Sequence, residues 1–455
     1  MTRKDDVVNR RRLLTTSLGA AVTLPFAGCS SQPDVYKAEF KSPNVTVASS
    51  ARNVRDFAAV GDGKADDTAA IARAAAVGNR PAVLYLPAGV YRVTSWPELS
   101  DYAAILGDGS DLTTLLYEGD GTLIALRGRQ RVSFKHLGIY TTNPAATAVS
   151  LSGCFRCSFD SVVIRGGHLG ENHPTFLTQR GVVLDQNSGG TAFINCDINN
   201  FGVGIVTSCI QNYLTSCKLT NNHIGVLGTG NDHNAGMSII NVEFVSDTDP
   251  RTTEKHVYID GAANDWWLTN VWFEGADIAL SVGQRDRGGP SQFGMVNCHV
   301  AARTVCLDLV YCRQPYLANI ALDRDNQQIP TTELRIDPIG CPEGTAVNLV
   351  SGSASDLEPA TFPDGWNVAG RGQIRGASFV GTVVTRAGEG NADLLQAQSS
   401  DGSVMSAILS SGAWLSDRAD GGVILKDTKG QYWRLSVSTD GIVQTSSLGE
   451  GRPDE

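Results

Sequence analysis

Apolar and polar positions alternate within a six-residue phrase that recurs eight times. Its copies read FKHLGI, FDSVVI, FINCDI, LTSCKL, IINVEF, LTNVWF, MVNCHV and LANIAL. They begin at Phe134, Phe159, Phe193, Leu214, Ile239, Leu268, Met295 and Leu317, with steps of 21 to 34 residues. The fourth and sixth residues of each copy are apolar, a period of two that predicts a strand. A strand that returns once per repeat, with its own kind above and below, is the unit of a parallel β-helix. The expected fold class is therefore all-β, with function on the outward-facing side chains.

A second set of strands follows the phrases: AVSLSG, GVVLDQ, GVGIVTS, IGVLGTG, HVYIDG, DIALSVG and TVCLDLV. The third phrase position is Asn at 195, 241, 270, 297 and 319, which suits a hydrogen-bonded amide ladder at a turn between strands. Upstream, Asp66 and Asp67 precede Thr68 as helix N-cap chemistry, and Ile71, Ala74 and Ala75 predict a short helix to about Val77. Such a helix covers the open end of a solenoid. The repeat fades after Pro330, and residues 340–375 are rich in Gly, Pro and Ser. Beyond them, Asp-Gly, Ser-Gly and Lys-Gly turns separate short strands. The expected division is an export signal over 1–29, a tether over 30–50, coils over 51–345, a linker over 346–372 and a small β module over 373–455.

The stretch NVRDFAAVGDGKADDTAAI followed by LYLPAGVYRV resembles the N-terminal signature of the pectate-lyase-like superfamily. The resemblance implies a right-handed parallel β-helix and a polysaccharide partner. The superfamily includes polysaccharide lyases, glycoside hydrolases and phage tailspikes, so the likeness carries fold and substrate class rather than reaction. The segment GQYWRLSVSTDGIVQT resembles C-terminal modules of phage tail fibres, which implies a homotrimer. There Trp414, Tyr432 and Trp433 read as core packing ahead of sugar stacking.

Arg10, Arg11 and Arg12 before an apolar run over 18–27 resemble a twin-arginine export signal. Phe26-Ala27-Gly28-Cys29 resembles a lipobox, which implies lipidation of Cys29. The expected location is the cell envelope, with membrane attachment only through that lipid; the alternative is cleavage near Ala27 and secretion. A formal net charge of −10 argues against a nucleic-acid partner. Of ten cysteines, Cys196, Cys217 and Cys298 hold the inward fourth phrase position and read as buried thiols. Neighbouring coils bring Cys196 and Cys217 within disulfide reach. The resemblance to twin-arginine substrates, which fold before export, disfavours that bond. Cys154 and Cys157 have no partner pair, so no metal site is expected.

If the fourth and sixth phrase positions face inward, the fifth and seventh face out. The fifth positions include Asp197, Lys218, Glu243, Trp272 and His299; the seventh include Arg165, Asn199 and Glu274. Asp197, Glu243, Glu274, Lys218 and His299 are the catalytic candidates. Trp272, Asn199 and Arg165 are the substrate-binding candidates. At about 4.8 Å per coil, Asp197 and Glu243 lie about 9.6 Å apart between Cα atoms, and Glu243 and Glu274 roughly 8 Å. Both fit the wide carboxyl spacing of inverting glycosidases. The bland reading of Asp197, Lys218 and Glu243 is a surface ion ladder.

The motifs of glycoside hydrolase family 28 are absent. Arg313-Gln314-Pro315 approaches the pectate lyase pattern, but Ala318 stands where its second Arg belongs. A calcium-assisted lyase, with carboxylates holding Ca²⁺ and Lys218 or His299 as base, stays open beside a hydrolase. The expectation is an exported polysaccharide-cleaving enzyme. Its rivals are a non-catalytic glycan-binding or structural envelope protein and, behind both, a uronate epimerase.

Overall fold

The computed structural model describes residues 51–455, apart from 79–80, 210, 231–233, 262, 326–330, 353–360, 364, 370–392, 399–402, 418–420, 452 and 454–455. The expected export signal, Cys29 and the tether lie outside the described residues. No helix among the described residues is long and apolar enough to cross a membrane.

The chain winds as a parallel β-helix with three faces. In the middle coils the first face is built from Ala192–Ile194, Asn212–Thr215, Met237–Ile240 and Trp266–Thr269. The second is built from Asp197–Asn199, Lys218–Thr220, Glu243–Val245 and Trp272–Glu274. The third holds nine strands from Thr122–Arg127 to Thr332–Ile336, and it contains all seven strands of the second set read from the sequence. The repeats stack in register: Phe159 pairs with Phe193, and Leu214, Ile239, Leu268, Met295 and Leu317 follow in turn.

Each phrase is more than one straight strand. Its third residue is left-handed in every copy, with φ between 51° and 55° from His136 and Ser161 through Asn319, and again at Asn348. That residue turns the chain, so the first phrase residue serves the first face and the fourth to sixth serve the second. Among residues with a Cβ, Asn tolerates this conformation best, which is why it recurs at the corner. The corner amides also bond from coil to coil. Asn270 Nδ2 donates to Asn241 Oδ1 at 2.7 Å, and Asn319 Nδ2 to Asn297 Oδ1 at 3.1 Å. Asn270→Ala is expected to cost about 2 kcal/mol in urea unfolding, from the left-handed penalty and the lost amide bond. Asn270→Gly, which adopts that φ freely, should cost less.

Both halves of the phrase point inward. Phe134, Phe159 and Phe193 are fully buried and stack with centroids 5.1 and 5.0 Å apart; Phe244 and Phe273 stack at 4.9 Å. The nine described cysteines are buried and free, Cys196 and Cys217 among them. The predicted helix is Thr68–Ala76, with Ala70, Ile71 and Ala74 packed into the core. Asp66 Oδ1 accepts from Thr68 N at 3.0 Å as a cap. Asp67 is buried and accepts instead from Val60 N and Gly61 N, closing the preceding turn.

Two expectations change. Glu343–Ser351 and Gly365–Ala369 add two more parallel strands, so the coils run past 345 into the stretch read as a linker. Asn348 marks a ninth corner in AVNLVS, where Ala346 and Ser351 replace the larger apolar residues that betray the other copies. At the C-terminus, two three-stranded antiparallel sheets span Leu395–Gln398 to Trp414–Ser416 and Val423–Lys426 to Val443–Gly449. Trp414 is 80% exposed there, so it is not core. Trp433 Nε1 donates to Asp427 Oδ2 at 2.9 Å, and Lys426 Nζ lies 4.9 Å from the Tyr432 ring.

Candidate functional site

The second face carries the ionisable side chains. Strand register places Asp197, Lys218, Glu243, Trp272 and His299 in one column on consecutive coils. Tyr140, Arg165, Asn199, Thr220, Val245 and Glu274 form the column two residues on. Short strands after each corner leave no freedom for slippage, because a one-residue slip would turn the core side chains into solvent.

The first group centres on Lys218. Its Nζ lies 3.1 Å from Glu243 Oε2, with both side chains about half exposed. Asp197, on the preceding coil, is partly buried. Burial pushes its carboxyl pKa up from the ordinary value; the Lys218 and Arg165 charges oppose that shift, and Asp111 and Glu243 add to it. Asp111 belongs to a loop before the first phrase and carried no signal in the repeat. Arg165 is exposed, with its guanidinium carbon 5.2 Å from the Tyr140 ring centre. Asn199 is only 8% exposed, and its Oδ1 accepts from Thr220 N at 3.1 Å. It braces the neighbouring strand, and the expectation that it contacts substrate does not fit its burial.

The second group centres on Trp272. One indole face is covered by the His299 imidazole, with centroids 4.0 Å apart and planes at 21°. The indole N–H points to Glu274 Oε2 at 3.4 Å, and His299 Nε2 lies 3.9 Å from Asp323 Oδ2. Trp272 and His299 border a groove of about 440 Å³ along the corner amides Asn270, Asn297 and Asn319. Asp325, two residues beyond Asp323, accepts from Gly275 N at 2.7 Å, and burial raises its pKa first of all, with Glu274 adding. The sequence pattern missed Asp325 because it lies outside the outward columns.

Behind Glu274 stands a buried histidine. His256 packs against the edge of the Phe244–Phe273 stack, and its Nε2 donates to the Glu274 carbonyl at 2.8 Å. Burial holds its pKa down to about 4. In the unfolded chain His titrates near 6.5, so the unfolded state binds more protons between those values. Stability is therefore intact above about pH 6.5 and falls as pH drops towards 4, by an amount on the order of 3 kcal/mol. Urea melts of His256→Gln across pH 4–7 should show a flatter profile than the parent.

Among the described residues no three His, Cys, Asp or Glu side chains converge to hold a metal ion.

Residues 51–150 match the family model described as rhamnogalacturonase A/epimerase, pectate lyase-like. The non-secreted LysM effector LysM19 of Penicillium expansum is 46% identical over 77 residues, 14% of this chain and 6% of that protein. The mannuronan C5-epimerase AlgE3 of Azotobacter vinelandii is 38% identical over 110 residues, 22% of this chain and 6% of that protein. The chain thus spans about 6% of the length of these two curated relatives. Among solved structures, the gp42 tailspike of Acinetobacter phage vb_AbaP_AS12 superposes with a TM-score of 0.50 at 8% identity, covering 90% of this chain and 83% of the tailspike. That likeness is one of fold. Residues 51–150 are a pectate lyase-like domain, and the coils that follow extend it as one parallel β-helix.

Proposed function

We propose that this chain is an exported enzyme that hydrolyses a glycosidic bond of an extracellular or envelope polysaccharide on the second face of its β-helix. The observation that carries the reading is the contrast between Asp197 and Glu243, two coils apart with Lys218 between them. Burial favours the protonated form of Asp197, as a general acid requires. Glu243 is ion-paired with Lys218 and serves as the base that activates water. A separation of about 9.6 Å between Cα atoms leaves room for that water, as in inverting enzymes. Asp197 gives its proton to the leaving oxygen as the bond from the anomeric carbon breaks. Water attacks from the opposite face and passes a proton to Glu243. Trp272 offers its uncovered face to a neighbouring sugar.

The same ion pair weighs against a lyase that uses Lys218 as base, because Lys218 Nζ is engaged by Glu243 at 3.1 Å. A non-catalytic glycan-binding protein is the rival reading. The test incubates the full chain with a polysaccharide panel, with and without Ca²⁺, and follows new reducing ends and unsaturated-uronate absorbance. Reducing ends without absorbance are expected. Absorbance would turn the reading to a lyase, and binding without either product would turn it to the rival. Export rests on the twin-arginine resemblance. If Cys29 carries the lipid, Cys29→Ala should move the protein from the membrane fraction to the soluble one.

A further inference from the structure

The first face differs from the second in one respect: over the same coils its outward strand positions carry one charge, Glu343, near the C-terminal end. Its other outward positions from Ala192 to Ala369 are aromatic, aliphatic, hydroxyl, amide or glycine residues. One column reads Tyr213, Ser238, Trp267, Gly294, Tyr316 on successive coils. Tyr213, Trp267 and Tyr316 are 41%, 43% and 42% exposed, so large aromatic surfaces stay in water on every second coil. Gly294 explains the pose of the central ring. A Cβ there would fall 2.1 Å from the Trp267 ring, so the indole lies flat across the next strand and turns its other face outward. The adjoining column supplies Thr215 and Thr269, and beside it runs the corner ladder. There Asn270 and Asn319 each spend one amide hydrogen on a neighbour and keep the second.

We propose that this strip binds an uncharged, extended polysaccharide chain laid parallel to the helix axis, outside the site of the second face. Aromatic rings recur at about 9.6 Å, two interstrand steps, which places a stacking platform under every second sugar of an extended glycan. The apolar C–H face of a pyranose matches a flat aromatic face, while its equatorial hydroxyls reach the flanking Thr and Asn groups. An anionic glycan finds no counter-charge here. A second copy of the chain is a poor occupant as well. Eight strands at about 4.8 Å give a strip about 34 Å long and about 10 Å wide, roughly 340 Å², against about 800 Å² per partner in a stable interface.

The test is calorimetric titration of the full chain with cellohexaose, mannohexaose and an oligogalacturonate of equal length. Binding to at least one uncharged hexasaccharide is expected, insensitive to added salt and tighter than to the uronate. Trp267→Ala should weaken it about tenfold, as for a central aromatic anchor. Gly294→Leu should do the same by lifting the indole. Tyr316→Ala provides a second exposed substitution that spares the core. Glu243→Gln should leave this affinity unchanged whatever it does to cleavage, which separates this surface from the hydrolytic reading. The proposal is overturned if neither uncharged hexasaccharide binds, if Trp267→Ala leaves the affinity intact, or if the face closes a concentration-dependent oligomer that Trp267→Ala dissolves.

Discussion

Asp197→Asn is expected to lower kcat on the cleaved polysaccharide by about 10²–10⁴-fold while making the protein more stable at neutral pH. The two effects share one cause. The raised carboxyl pKa of Asp197, due first to burial, means that the folded chain holds a proton which the unfolded chain releases. The penalty is absent below the ordinary Asp value, near pH 4, and grows as pH rises towards the folded value. Asn carries no charge to bury, so melts of the variant should exceed the parent at pH 7 and converge with it at pH 3. A purely structural Asp197 would move the melts without moving kcat. Affinity for the polysaccharide should hold, because the lost interaction belongs to the transition state. Lys218→Met completes the series. It removes the ion-pair partner that positions the Glu243 carboxylate, and kcat is expected to fall, though by less than in Asp197→Asn.

The largest loss of stability is expected at Arg303, a residue remote from any reacting group. Its guanidinium is almost wholly buried and joins three segments. It donates to Asp277 Oδ1 at 2.9 Å, to the Thr253 and Pro250 carbonyls at 2.9 and 3.2 Å, and to the Gly275 carbonyl. Arg303→Ala takes a donor from all four oxygens and leaves the Thr253 carbonyl only Asp277 N at 3.2 Å. Breaking such a network costs about 3–5 kcal/mol, most of it here from the carbonyls because Asp277 is partly exposed. Arg303→Lys should recover only a fraction, since one ammonium cannot reach all four acceptors in the fork geometry. Urea unfolding should read both. Gly275 also donates to Asp325 and follows Glu274, so the variant is expected to loosen the carboxylate end of the second face before it melts the coils.

The repeating parts of this molecule were legible in the sequence, and the parts held by loops were not. Alternation in the phrase identified the inward residues, and with them the two outward columns, because a period of two leaves one choice of face. The corner asparagines were legible for the same reason, since each recurs at one place. Asn348 escaped because its copy, AVNLVS, lacks bulk at both ends. Asn199 lay in the correct column, yet alternation says nothing about a neighbour that covers a side chain. Asp111, His256 and Arg303 owe their roles to partners 18 to 86 residues away, across coils of irregular length. No periodic signal records such contacts.

The corner ladder fixes more than the shape of one turn. Because each coil from His136 to Asn348 bends at the same left-handed residue and pairs in register, both working faces are graduated like the two edges of a ruler. A ligand lying along either edge must be commensurate with the interstrand step. Duplicating or deleting one whole coil would change the number of graduations without disturbing those already there. On such a frame, a new ligand length is reached by counting coils, and a new chemistry by rewriting one edge while the other stays as it was.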